Sequence, residues 1–292
     1  MVAVTATAAV AEMARRHSAV GLPAVALGRT AVAGLLLATL TKNEEQVTLQ
    51  VLGDGPLGGV TVDARSSGRV RGFVKRPLAL VWDPALAAES RLEIGQAIGR
   101  QGVVGLTRDL GLAQNYSGQV ALQSGEIDEE VERYLNTSEQ IDSLLRCDTL
   151  VDADGRVTAA AGLLVQTLPQ AHGAAVVEFA RQVLAGPVFS SVLQSALGEG
   201  KLDPEALTRA ALGQCADGLQ VLDVRGVRFF CPCSRERAEA TLAMLRPEDL
   251  RQMVLEDNQT EVTCNFCGTQ YRFTDAEVEQ VRRRAGGGRA QG

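Results

Sequence analysis

Over residues 45–74 apolar and polar side chains alternate with the period of a pleated strand. Val47, Leu49 and Val51 interleave with Thr48 and Gln50, and the glycine-rich stretch 53–59 breaks the run. Val60 and Val62 resume it, Ser66, Ser67 and Gly68 turn it again, and 70–74 closes a meander. Period-two runs bounded by turn residues predict antiparallel strands. The same signals place a strand pair over 102–108 and 117–123. Another pair flanks the turn Asp152-Ala-Asp-Gly155, its first strand holding Cys147 and its second running from Val157 to Thr167.

Elsewhere the pattern is helical. An amphipathic helix is predicted up to about His17, and an apolar one after Pro23. A helix over about 126–135 carries Glu126, Asp128, Glu129, Glu130 and Glu132. Carboxylates in a first turn suit the helix dipole, so a solvated acidic face is expected there. Thr137-x-x-Gln140 has the form of a capping box for a following helix. After Pro169 come short apolar helices over about 176–184 and 188–197, and a third opened by Asp203-Pro204, a good cap and first position. Gly186-Pro187 and Gly198-Glu199-Gly200 interrupt this segment, and short helices owe their stability mainly to packing on something else. It is expected to stay ordered only when docked on a neighbour, and the domain junction is expected inside it. From about Val227 the pattern predicts a helix starting near Ser234, another over 248–255, a strand leading into Cys264 and a strand through Tyr271 and Phe273. Thr274-x-x-Glu277 caps a last helix that ends at Arg282-Arg283-Arg284.

These elements predict an α+β chain: an N-terminal domain with an antiparallel-rich sheet and packed helices over 1–173, and a helical linker over 174–226. A small C-terminal four-cysteine zinc domain follows over 227–285, then a disordered tail over 286–292. The length of 292 residues suits one large and one small domain. A hydrophobic share of 46% allows a real core. The formal charge of −6 argues against a protein built to neutralise phosphates. The uncharged run from Thr30 to Thr41 is shorter than the roughly 20 residues of a membrane span, and no small-residue cleavage site follows it. No targeting signal and no membrane association are therefore expected, which leaves the cytoplasm as compartment.

In that compartment six cysteines are thiols, metal ligands or redox devices rather than a disulfide framework. Cys147 and Cys215 stand alone and read as buried small apolar residues. Cys231-Pro-Cys233 and Cys264-Asn-Phe-Cys267-Gly form a C-x-C and a C-x-x-C separated by 30 residues. Two such pairs in one small domain predict a tetrahedral zinc site with Cys231, Cys233, Cys264 and Cys267 as ligands, one ion per chain. A structural zinc contributes roughly 10–16 kcal/mol in apparent binding free energy to a domain otherwise of marginal stability. If oxidation removed it and each cysteine paired with its nearest neighbour in sequence, the new rings would be tiny and would restrain the chain little. The tie across the long loop would be lost, and the domain would unfold.

Other chemistry finds little support. Gly53, Gly55 and Gly58 spell GxGxxG after a strand, but a second strand follows and Pro56 sits inside the motif, so it reads as a hairpin turn and not a nucleotide fingerprint. His17 and His172 have no nucleophile or carboxylate motif around them. No enzyme and no catalytic residue is predicted, and no cofactor besides zinc.

The segments Cys231-Pro-Cys233-Ser-Arg-Glu-Arg, Cys264-Asn-Phe-Cys267 and Tyr271-Arg-Phe273 resemble the redox-switch domain of the bacterial thirty-three-kilodalton chaperonin family. Ala26-Leu-Gly-Arg29, Gly53-Asp-Gly-Pro-Leu-Gly58, Val70-Arg-Gly-Phe-Val74, Ser124-Gly-Glu126, Tyr134-Leu, Ser138-Glu-Gln140 and Gly162-Leu-Leu-Val-Gln166 extend the likeness over the whole chain. The resemblance implies a holdase that needs no ATP and is inactive while reduced and zinc-bound. Oxidation would form the disulfides Cys231–Cys233 and Cys264–Cys267, release zinc, and unfold the switch and the linker. The exposed surface would bind unfolding client proteins, usually as a homodimer, and reduction would pass them to ATP-dependent chaperones. Two rival readings remain. A zinc-ribbon nucleic-acid binder draws on eleven Arg against ten Asp plus Glu from Arg225 onward, a small excess for such a role. A thiol–disulfide oxidoreductase using Cys264 or Cys267 lacks the strand-to-helix setting of its motif.

Overall fold

The computed structural model describes all residues except 42–44, 110, 112–114, 168–173, 186, 257–259 and 289–292. The chain forms two compact units, Met1–Phe230 and Cys231–Gly292. The division falls later in the chain than the helical segment in which the sequence pointed to a junction.

In the first unit β1 (Val2–Thr5) leads into α1 (Thr7–Arg16) and α2 (Leu22–Ala38). The meander follows as β2 (Gln46–Gly53), β3 (Val60–Arg65) and β4 (Arg69–Val74). A short α3 (Gly95–Ile98) precedes the hairpin β5 (Gly102–Asp109) and β6 (Tyr116–Ala121). Then come α4 (Ile127–Thr137), β7 (Ser143–Val151) and β8 (Val157–Gln166). Three short helices, α5 (Ala174–Val183), α6 (Val188–Gly198) and α7 (Pro204–Leu212), end the helical part, and β9 (Arg228–Phe229) returns to the meander. A six-stranded sheet runs β6-β5-β2-β3-β4-β9 and a three-stranded one β1-β8-β7.

α2 packs against strands of both sheets and is buried from Pro23 to Ala38. This explains its near-continuous apolar sequence, since a helix covered on all sides has no polar face. Close approach sets residue size as well: a Cβ on Gly28 would lie 2.3 Å from Thr149 Oγ1 on β7. The other face of the three-stranded sheet is covered by the short helices, with Leu144, Leu163 and Val165 meeting Val177, Phe189, Leu193 and Leu207. Burial on both faces accounts for the unbroken run of buried residues from Ala159 to Val165. The neighbour on which the chopped helices dock is therefore this sheet. Asp203 caps α7 as its sequence predicts, its Oδ1 accepting from the Ala206 amide at 2.9 Å.

Two local expectations fail. Thr137-x-x-Gln140 opens no helix; it closes one. Thr137 Oγ1 donates back to the Arg133 carbonyl, Gln140 takes φ +56°, and the Ile141 amide bonds the Leu135 carbonyl at 3.2 Å, so the chain turns straight into β7. The acidic face of α4 is not solvated either: Asp128 and Glu130 are buried, Glu126 is half-buried, and only Glu129 of the five is exposed. Partners distant in sequence make that burial possible. Arg29 on α2, itself without solvent contact, donates through Nε to Asp148 Oδ1 at 2.8 Å and through Nη1 to Glu126 Oε2 at 2.9 Å. Glu126 Oε1 also accepts the amides of Ile94 and Gly95, and Arg91 pairs with Asp128 at 2.8 Å. Burial is the largest influence on the Glu126 carboxyl and raises it, although Arg29, the two amides and Arg91 all pull the other way. Buried charge at this density is tolerated because each of these carboxylates meets a guanidinium.

The second unit contains α8 (Arg235–Ala243), α9 (Pro247–Glu256), the hairpin β10 (Thr260–Thr263) and β11 (Gln270–Phe273), and α10 (Asp275–Gly288). Its core is small: Ala238, Leu242, Leu250, Phe273, Val278 and Val281. The capping box is present, with the Thr274 amide donating to Glu277 Oε2 at 2.8 Å. α10 continues through the glycines 286–288, where the sequence suggested the start of an unstructured tail; residues 289–292 lie outside the described ones. Among the described residues no single helix is long and apolar enough to cross a membrane.

Candidate metal centre

Two chain segments deliver the four cysteines. Cys231 and Cys233 lie between β9 and α8, and Ser234 caps α8 by accepting the Arg237 amide on Oγ at 3.3 Å. Serine is suited to that place because its side chain replaces a missing intrahelical partner. Cys264 and Cys267 sit in the turn that joins β10 to β11. There the Gly268 amide bonds the Cys264 carbonyl at 2.8 Å, and the Cys264 amide bonds the Thr269 carbonyl at 2.9 Å. Gly268 takes φ +70°, a conformation glycine adopts without a Cβ penalty. The turn is a knuckle that aims two thiols to the same side.

All four Sγ atoms lie within 4.8 Å of one another. Cys231 Sγ is 3.7 Å from Cys264 Sγ, and Cys233 Sγ is 3.3 Å from Cys267 Sγ. A tetrahedron of thiolates about 2.3 Å from a central zinc has edges of about 3.8 Å, so the spacing fits such an ion. The donor set fits as well, since four soft sulfurs select zinc or a similar thiophilic metal over hard cations. Neighbours steer the sulfurs: the Tyr271 hydroxyl donates to Cys233 Sγ at 3.2 Å, and Thr269 Oγ1 lies 3.2 Å from Cys267 Sγ. Among the thiols, burial pushes Cys264 up to about 12. Cys267 is also buried, but its hydrogen bonds with Thr269 and the neighbouring thiols outweigh burial and bring it down to about 7. The thiolate is the form in which cysteine binds metal or reacts. Two residues after Cys233, Arg235 lies over the Phe273 ring at 4.5 Å and pairs with Glu277 at 2.6 Å.

Among the described residues, the group of thiols that could hold a metal includes neither Cys147 nor His17. Cys147 is fully buried, its thiol donates weakly to the Arg29 carbonyl at 3.6 Å, and burial drives its ionisation well above the ordinary range. His17 stands by the Phe73 ring. The Cys215 side chain and His172 lie outside the described residues. What the sequence missed is the ionic cluster of Arg29, Arg91, Glu126, Asp128 and Asp148, whose signal was an arginine inside an otherwise uncharged helix.

A two-unit α+β chain whose smaller unit gathers four thiols into a metal-competent cluster defines a class of thiol-bearing proteins with a small four-cysteine C-terminal unit. Comparison with known proteins gives the class a family. The family model described as Hsp33 protein matches residues 1–274. The 33 kDa chaperonin of Lactiplantibacillus plantarum is 36% identical over 287 residues, covering 98% of this chain and 93% of that one. The 33 kDa chaperonin of Geobacillus kaustophilus is 34% identical over 279 residues, covering 96% and 92%. The crystal structure of the 33 kDa chaperonin of Thermotoga maritima superposes with a TM-score of 0.79 at 31% identity, over 94% of this chain and 90% of that one. The chain belongs to the Hsp33 family of chaperones.

Proposed function

We propose that this chain is a redox-regulated, ATP-independent holdase of the cytoplasm, whose four-cysteine unit reports oxidation. The observation that carries the proposal is the gathering of Cys231, Cys233, Cys264 and Cys267 within 4.8 Å in a unit whose apolar core is small. In the reduced state these four residues hold one zinc per chain; zinc supplies a cross-link between the two cysteine segments. The thiols are also the sensor. Under peroxide, the zinc-bound thiolate pairs Cys231 with Cys233 and Cys264 with Cys267 each give up two electrons to form one S–S bond, and one peroxide per pair takes those electrons and two protons from solvent to become two waters. The resulting disulfides can no longer serve as thiolate ligands. Each joins residues two or three apart, so the tie between the segments is gone and the switch region 227–285 unfolds.

The helical linker 174–226 then loosens from the core 1–173. Its docked face, which includes Val177, Phe189, Leu193 and Leu207, and the sheet face beneath it are apolar, and exposed patches of this kind bind other proteins. Oxidised chains pair as homodimers, hold unfolding clients, and on reduction release them to ATP-dependent chaperones.

Zinc content and light scattering of a heat-unfolding client, measured on reduced and on peroxide-treated protein, test this reading. Reduced protein should carry one zinc and fail to protect; oxidised protein should carry none and suppress aggregation, with peptide mapping finding the two short-range disulfides. Loss of zinc without protection would reduce the site to a structural staple and overturn the proposal.

A further inference from the structure

The sheet edges of the first unit are closed in different ways. Along β7, side chains of α4 act as plugs: Asn136 accepts the Ser143 amide at 2.8 Å and donates to its carbonyl at 3.3 Å, and Glu132 accepts the Leu145 amide at 3.2 Å. Such plugging denies an edge to foreign strands. At the β6 end of the six-stranded sheet no further strand is seated among the described residues. At the other end, β4 is covered by a segment of the chain itself. β9 pairs with it in parallel, Arg69 opposite Arg228 and Val70 opposite Phe229. The Arg228 amide donates to the Gly68 carbonyl at 2.9 Å and the Phe230 amide to the Val70 carbonyl at 3.0 Å.

This cover has the chemistry of a bound peptide. Val227 and Phe229, two apart, pack on the main core, while Phe230 points to the other face. Each ring has its own cation: Arg16 lies 4.8 Å from the Phe229 centroid and Arg69 lies 4.9 Å from that of Phe230. Arg225 anchors the approach by donating to the Ser66 carbonyl at 2.9 Å. Gly68 makes room for it: φ is +79°, and a Cβ there would stand 2.2 Å from the Gly226 carbonyl oxygen. The cover is also short. β4 runs from Arg69 to Val74, but β9 pairs only at its first two positions, and no strand lies beyond them among the described residues. Beyond these positions Gly72 and Val74 are buried, so an incoming strand would take the two positions that β9 holds and make the contacts β9 makes. Phe230 is the residue before Cys231, the first of the four clustered thiols.

We propose that the outer edge of β4 is a strand-addition site for extended, aromatic-bearing segments of non-native polypeptides, and that residues 227–230 occupy it as a built-in competitor. Main-chain pairing supplies affinity without sequence selection, and the two arginine-lined ring positions favour aromatic side chains at neighbouring places, as in β-augmentation generally. Only the nature of the occupant rests on the chaperone reading; the site itself does not require oxidation.

The test uses the full-length chain, reduced and zinc-loaded, titrated with a fluorescein-labelled peptide spanning residues 224–230. Two variants open the edge by different means. F229A/F230A removes the rings, and R228P removes the amide that donates to Gly68. Both should keep one zinc and four reduced cysteines in the cluster, and bind the peptide at least tenfold more tightly than the wild type. A peptide N-methylated at the position of the Phe230 amide should lose at least tenfold in affinity. Equal binding by wild type and both variants would overturn the proposal, as would equal binding of the methylated peptide. So would self-association of the variants through β9 exchange that the peptide fails to compete. Because the variants stay reduced, a failure of oxidation to activate the wild type sinks the redox reading and leaves this one standing.

Discussion

Residues 1–230 wrap two sheets around a helix that is buried from Pro23 to Ala38, and they place a full ionic cluster beside it. Among the described residues, 231–292 bury a small apolar cluster, Ala238, Leu242, Leu250, Phe273, Val278 and Val281, and gather four thiols. Stability in the first unit comes from burial spread over many contacts, so no single chemical event removes it. The second unit has too little apolar area for its size and leans on its sulfurs. A metal-dependent fold can be switched by any reagent that consumes its ligands. A burial-dependent one cannot, which suits the part that persists under the proposed mechanism.

Metal removal should separate the units most sharply. Chelation of the reduced protein, or the variant C264S/C267S, withdraws a contribution on the order of 10–16 kcal/mol. Amides of α8, α10 and the β10–β11 hairpin should then exchange at unfolded-chain rates, while those of α2 and β7 stay protected. Continued protection of the small unit without metal would show that its six-residue core suffices after all.

Within the first unit the comparison is tested at Arg29. R29M leaves the buried carboxylates of Asp148 and Glu126 without their cation. Breaking one side of such a cluster costs about 3–5 kcal/mol, visible as a lower urea midpoint with zinc content unchanged. A shift within error would mean that water enters readily at α2.

Glu130 gives the comparison a pH axis. Burial opposes its ionisation, but an ion pair with Arg133 and the amides of Gln123, Gly125 and Ser124 more than compensate, so its carboxyl is held below the usual range. A depressed carboxylate stabilises the folded state above its unfolded pKa of about 4.3, and that stabilisation fades as pH falls through the lower folded value. E130Q should therefore cost about 1–3 kcal/mol at neutral pH, and the gap to wild type should close on acidification below the unfolded value. A gap constant down to pH 2 would assign the loss to shape and not charge. Zinc affinity at the four thiols should also fall with acid, for a different reason: thiolates must compete with protons.

Sequence made some of this visible. The meander, the buried α2, the helix start near Ser234, the caps at Asp203 and Thr274, and the four-cysteine cluster rest on local spacing, and local spacing is what a linear text displays. The ionic cluster was misread as a solvated face because Glu126 meets Arg29 across 97 positions and Asp148 meets it across 119. β1 went unseen for the same reason: four residues pair with β8 at the far end of the unit, Val2 opposite Leu164. Thr137-x-x-Gln140 shows the opposite error, a local motif overruled when Gln140 turned left-handed and β7 claimed the chain.

The smallest effect tests the comparison most finely. Ser234 caps α8 directly after Cys233, and its hydroxyl accepts the Arg237 amide. Losing such a cap costs about 1 kcal/mol. In a unit that folds only around metal, folding and binding are one equilibrium, so S234A should raise the zinc dissociation constant roughly fivefold. E130Q, a larger perturbation housed in the other unit, should leave that constant alone. If S234A left zinc affinity unchanged and lowered only a thermal midpoint, the small unit would be folding first and binding afterwards, and its dependence on the four sulfurs would be weaker than its core size implies.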